Sequence, residues 1–123
     1  MRTVRRENTA PELTLRRQLH AAGLRFRLHV AGLPGRPDIV LSRRATVVFV
    51  HGCFWHGHDC PHGRVRAKTN AEFWSEKIES NRARDLRKQR ELIRLGWRVE
   101  VVWECQVGNP TIVARLVKRL MAR

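Results

Sequence analysis

The run "ATVVFV", residues 45–50, constrains this chain more than any other stretch. It is apolar and β-branched, with no polar residue at alternate positions. Such a run reads as a strand buried on both faces, and so as a central strand of a sheet. A second run of strand type, "RVEVVW" (98–103), lies far downstream. Between the two, Thr69-Asn70-Ala71-Glu72 has the form of a capping box and opens a long charged helix. That helix is expected to reach about Leu95 and to end at Gly96. If the two strands are parallel, the helix is their crossover.

The rest of the chain fits around this unit. Thr9-Ala10-Pro11-Glu12 is another capping box, with Pro tolerated in the first turn, and predicts a helix from about Pro11 to Ala22 that stops at Gly23. "RFRLHV" (25–30) alternates polar and apolar residues as a half-buried strand does. "GLPGRP" (32–37) is a loop by its Gly and Pro content. "DIVL" and "ATVVFV" flank the turn "SRR" and predict a hairpin. Asn109-Pro110 caps a final helix. The order α-β-β-β-α-β-α predicts an α/β fold, a mixed sheet with helices packed against it. A chain of 123 residues makes one domain, residues 1–123. No apolar run is long enough for a membrane span, and the start has no apolar core of a signal peptide, so a cytosolic location is the expectation.

Charge points to the partner. Lys and Arg number 25 against 11 Asp and Glu, a net +14. Most of the excess is Arg, whose planar fork suits phosphate. So large a charge on so small a domain costs self-repulsion, and nucleic acid is the partner it fits best.

The chemistry concentrates in "FVHGCFWHGHDC" (49–60). Cys53, His58 and Cys60 are soft ligands at spacings of five and two. Zinc takes four N or S ligands in a tetrahedron, and Cys105 is the remaining cysteine. With the last strand parallel to "ATVVFV", Cys105 falls at the sheet edge that carries His51 and Cys53. His62 is an alternative to His58, and buried free cysteines are an alternative to zinc. An odd cysteine count without an export signal argues against a disulfide framework. Phe54 and Trp55 either cap the zinc site and pack on the sheet, or act as wedges that stack on bases. Trp97 and Trp103 read as core.

Taken together, "LPGRPDIVL", "FVHGCFWHGHDC", "EFWSEKIESNRARD" and "LGWRVEVVWEC" resemble the very-short-patch-repair (Vsr) DNA mismatch endonucleases. The resemblance runs collinearly from about Met1 to Cys105. It implies a restriction-endonuclease-like fold of the PD-(D/E)XK class, whose core order is α-β-β-β-α-β. It also implies a Mg²⁺-dependent enzyme that nicks duplex DNA 5′ to the T of a T·G mismatch left by deamination of 5-methylcytosine.

The resemblance assigns roles residue by residue. Asp38 is the acid of the "PD" half-motif and a Mg²⁺ ligand. Phe49-Val50-His51 stands where the wider class has Glu-x-Lys, a departure that the Vsr family shares; the main-chain carbonyl of Val50 becomes the second Mg²⁺ ligand. His51 is the implied general base, and His56 assists by donating to a phosphate oxygen or the leaving group, unless it is a zinc-side histidine. Glu12 matches an acidic residue that reaches the metal through water, and the same Glu closes a capping box. Cys53, His58, Cys60 and Cys105 form the implied structural Zn²⁺ set. Phe54, Trp55 and Trp74 are implied to enter the DNA beside the mismatch, with Lys77 and Asn81 contacting the T·G pair. Trp74, Lys77 and Asn81 share a helix face by their spacing, although a solvated lysine is the plainer reading of Lys77. Met1 matches an inserting methionine that family members carry behind a basic arm. The implied setting is the bacterial cytoplasm with the nucleoid, and the implied protein is a monomer that contacts mismatch-repair proteins. The Arg-rich composition suggests its own methylation context.

Two other functions compete with a mismatch nickase. A DNA-binding zinc module without catalysis would not need Asp38 with His51. A less selective Vsr-like nickase, acting for instance on foreign DNA, would need both.

Overall fold

A computed structural model describes residues 9–52 and 71–122, with side chains in the second stretch from residue 76 onward. Helix α1 (Ala10–Ala21) opens as its sequence dictates: Thr9 is the N-cap and Glu12 completes the box. Two short strands follow, β1 (Arg27–Leu28) and β2 (Ile39–Leu41). A 3₁₀ turn (Ser42–Arg44), closed by Ala45 at φ +49°, leads into β3 (Thr46–His51). Helix α2 (Ala71–Arg94) then crosses to β4 (Arg98–Trp103). A one-turn helix α3 (Glu104–Val107) and the terminal helix α4 (Pro110–Met121), capped by Asn109, complete the order.

The four strands form one sheet in the order β1-β2-β3-β4. β1 pairs antiparallel with β2, and β2 with β3, in the expected hairpin. β3 and β4 are parallel, with His51 opposite Trp103. The crossover reading of α2 therefore holds. β3 is central and buried along almost its whole length, as its continuous apolar sequence requires.

Each sheet face has its own core. On one, Ile39, Leu41, Val48 and Val102 pack against Leu15 and Leu19 of α1 and Val113, Leu116 and Leu120 of α4. On the other, Val40, Val47 and Phe49 meet Leu92 of α2, with Trp97, Val99 and Val101 partly buried beside them. Each fully buried leucine contributes about 1.5–3 kcal/mol relative to an exposed one. Gln18 Nε2 donates to the Val107 carbonyl at 3.1 Å, which fastens α3 to α1.

Three expectations need correction. The strand expected over residues 25–30 is only Arg27–Leu28, and both residues are exposed. His29 takes a left-handed φ of +48°, which ends the extended run, while Phe26 turns onto the α1-side core. Second, the sequence reading left out the one-turn helix α3, which carries Cys105 just past β4, where that cysteine was expected. Third, Trp103 is half-buried beside His51 and belongs to neither core, whereas Trp97 packs against the α2-side core as expected. No helix among the described residues is long and apolar enough to cross a membrane.

Candidate active site

The loop 32–37, the ends of β2 and β3, and the middle of α2 enclose a cleft of about 710 Å³ on the α2 side of the sheet. Asp38, Val50 and His51 line it, together with His29, Arg36, Arg84, Asp85, Lys88 and Gln89. The residues that sequence singled out for catalysis on β2 and β3 are thus brought together.

Asp38 stands just before β2, where the hairpin opens. Its N–H donates to the Val48 carbonyl at 3.1 Å, and its Oδ2 accepts from the Val50 N–H at 2.6 Å. A strand residue projects its N–H and carbonyl toward the same neighbouring strand. The Val50 carbonyl therefore lies on the Asp38 side of β3, past the last β2 residue paired with it. A carboxylate and a main-chain carbonyl on one sheet edge are hard oxygen donors of the kind Mg²⁺ takes.

His51 ends β3 on the same face as Phe49. It is buried, and its ring meets the Trp103 ring nearly edge-on, with centroids 5.2 Å apart. The Phe49 ring centroid is 5.7 Å away, with the two rings tilted by 51°. Two aromatic rings thus lie beside the imidazole at the cleft wall.

Glu12 comes from α1. One oxygen, Oε2, accepts from Thr9 Oγ1 at 3.0 Å in the capping box. The other, Oε1, lies 3.3 Å from Arg16 Nη2 and 3.6 Å from His29 Nε2. Ligand atoms of Glu12, His29 and Asp38 all lie within 4.8 Å of one another. The residue read both as a cap and as a site acid is placed to be both. The hard oxygen donors of Asp38 and the Val50 carbonyl are what fit a divalent cation.

The loop "LPGRP" reaches the cleft because of Gly35. Its φ is +74°, and a Cβ there would come within 3.2 Å of the Phe49 ring and 3.0 Å of Lys88 Cβ. Only a residue without a side chain lets this loop lie so close to both sheet and helix.

Sequence reasoning missed His29, Arg16 and the polar residues of α2. A signal for the last group was present. Ile78, Asp85 and Leu92 are seven apart on α2, and the two apolar members are buried. A polar residue midway along a core-facing stripe marks a helix that covers a cleft as well as a core. His29 stood in what read as the solvent face of a strand, and nothing local distinguished it. The Glu12 and Arg16 pair was visible at i, i+4.

Other expected residues lie elsewhere. Lys77 is exposed and Asn81 half-buried on α2, where Asn81 Oδ1 accepts from Arg84 at 2.7 Å. Cys105 is half-buried two residues beyond Trp103, at the sheet end that carries His51. Met1, Cys53, Phe54, Trp55, His56, His58 and Cys60 lie outside the described residues, as does the side chain of Trp74.

Comparison with known proteins agrees with this geometry. The model of the family "DNA mismatch endonuclease Vsr" matches residues 1–62. The nicking enzyme V.XorIIP of Xanthomonas oryzae is 54% identical over 109 residues, spanning 89% of this chain and 79% of its own. The DNA mismatch endonuclease Vsr of Escherichia coli is 50% identical over 105 residues, spanning 85% of this chain and 67% of its own. Among solved structures, the catalytic domain of the homing endonuclease I-Bth0305I superposes with a TM-score of 0.60 at 17% identity, over 92% of this chain and 94% of that one. At that identity the likeness shows the fold, which is the one expected from the α-β-β-β-α-β order.

Proposed function

The chain belongs to the Vsr family of DNA endonucleases, and from this premise we propose that it nicks duplex DNA 5′ to the T of a T·G mismatch, using Mg²⁺ held by Asp38 and the Val50 carbonyl. The observation that carries the reading is the tie between the Asp38 carboxylate and the Val50 main chain in a cleft that also holds His51. When bound there, Mg²⁺ supplies charge neutralisation at the scissile phosphate.

The chain's own groups do the rest. His51 takes the proton of the attacking water. As the new P–O bond forms, the bond to the 3′ oxygen breaks, and His56 donates a proton to that leaving oxygen. Arg36, Arg84 and Lys88 line the cleft and suit the flanking phosphates. On this reading Glu12 orders water beside the metal. Phe54, Trp55, Trp74 and Met1 enter the DNA at the mismatch, and Lys77 with Asn81 contacts the T·G pair. Cys53, His58, Cys60 and Cys105 hold a structural Zn²⁺ that fixes the loop after β3. The position of Cys105, just beyond the strand paired with β3, supports that set.

A second reading is a nickase of broader selectivity. It is favoured by the relative of highest identity given above, which is described as a type II nicking enzyme and not by a mismatch. Single-turnover cleavage of paired duplexes, one matched and one with T·G at the same position, separates the two. With Mg²⁺ present, cutting confined to the T-bearing strand of the mismatched duplex is expected. Equal cutting of both duplexes would leave the nickase and remove the mismatch.

A further inference from the structure

Arg16 sits within the group of metal-type donors beside the cleft. It lies one turn of α1 beyond Glu12, and its side chain is 14% exposed against 3% for Glu12. Its Nη2 is 3.3 Å from Glu12 Oε1 and 3.0 Å from His29 Nε2. A guanidinium has donors only and keeps its charge in proteins. With Arg16 as the donor, the contact is a hydrogen bond in the tautomer protonated at Nδ1, where His29 Nε2 accepts and commits to Arg16 the lone pair that would bind a metal. Glu12 is committed likewise, with Oε1 facing Arg16 and Oε2 taken by Thr9. Two of the three donors among Glu12, His29 and Asp38 are already answered by a positive charge that the chain itself supplies.

We propose that Arg16 is a positioning residue that acts as a built-in cation, taking the place that a second divalent ion would occupy between Glu12 and His29. The inference rests on the reading of Asp38 as the ligand of the catalytic ion. Two-metal nucleases place paired ions about 3.5–4 Å apart to clamp both sides of the phosphate. Here an ion entering among Glu12, His29 and Asp38 would meet a like charge and find the His29 lone pair engaged. The site therefore takes one ion at Asp38, and the second positive charge is covalently part of α1. Such a charge is present at any metal concentration and cannot be lost to a chelator.

The test counts bound Mn²⁺ by electron paramagnetic resonance on the full chain without DNA, which reads occupancy and not activity. Arg16→Met keeps the bulk and removes the charge. It takes the like charge out of the group formed by Glu12, His29 and Asp38 and should bind one Mn²⁺ more per chain than the wild type. Adding His29→Ala to that variant should remove the extra ion. Arg16→Lys keeps the charge and should restore the wild-type count. No gain in a folded Arg16→Met protein, or an equal gain in Arg16→Lys, would overturn the proposal. His29→Gln alone gives an independent arm that does not depend on the stability of the Arg16 variants. Its Mn²⁺ count should equal that of the wild type, and loss of an ion would show His29 to be a ligand and the proposal wrong. Asp38→Asn in the wild-type background reports on the underlying reading: if it leaves the bound Mn²⁺ untouched, the Asp38 assignment fails, whatever Arg16→Met does.

Discussion

The Asp38 carboxylate accepts a 2.6 Å hydrogen bond from the Val50 main-chain N–H. The side chain is thereby anchored to the central strand, one residue before His51. An acid on a loop would wander by more than a metal–oxygen bond length. An acid tied to β3 has its position set by the sheet, and the Val50 carbonyl and the His51 ring are set by the same strand.

Asp38→Asn keeps a carbonyl oxygen that can accept from Val50, so the fold should survive. It removes the charge that would hold Mg²⁺. Single-turnover nicking of a T·G duplex is expected to fall by at least ~10³, the scale of several kcal/mol of transition-state stabilisation. Affinity for the same duplex without metal should be unchanged or higher, since a negative charge near phosphate is gone. Cutting at near wild-type rate would place the metal elsewhere.

Gly35 and Gly32 make a matched pair. Both have positive φ, +74° and +91°, but a Cβ on Gly32 would have nothing within 4 Å while one on Gly35 would press on Phe49 and Lys88. Gly32→Ala should cost about 1–2 kcal/mol from backbone conformation alone. Gly35→Ala adds overpacking worth about 1–3 kcal/mol. Urea denaturation midpoints should fall in that order, and an equal shift in both would mean that the close approach of the loop is not maintained in solution.

Zinc removal should destabilise the protein. Cys105 follows the strand paired with β3 and is the one proposed ligand within the described residues. Cys105→Ser should release about one zinc per chain and lower the melting temperature, because binding energy at a structural site is folding energy. Purified protein without zinc, and with stability indifferent to a chelator, would rule the site out.

DNA affinity should depend steeply on salt. The charge of +14 and the cations of the cleft imply several phosphate contacts. For ~6 contacts, log K should fall against log salt with a slope of about −5. A slope near zero would argue against a nucleic-acid partner altogether.

The sequence was most legible where local chemistry and global fold agree. The capping box at Thr9 and Glu12, the buried run of β3 and the helix cap at Asn109 each depend on a few adjacent residues, and each stands where it was expected. The parallel pairing of β3 with β4 entered the sequence reading as a condition, with the helix as its crossover, and the structure meets that condition. β1 was overestimated because alternation alone cannot register a left-handed residue such as His29. Helix α3 was missed because one turn carries too little pattern. Asp38 and His51 were singled out through motifs, which compress a candidate site into adjacent residues, and both line the cleft. His29 and Arg16 were not, because their meeting is made by the packing of α1 against the β1 end, and no short stretch contains both.

The register that sets His51 beside Trp103 also fixes the order in which the protein can become active during its synthesis. The two strands are separated by residues 52–97, which include all 24 residues of α2, so β3 has no partner on that side until residues 98–103 have left the ribosome. Up to then the His51 ring lacks its Trp103 wall, and β3 is an open sheet edge, able to pair with another chain. A chain interrupted before β4 is thus a hazard for aggregation, and the wall beside His51 is completed only once residues 98–103 are made.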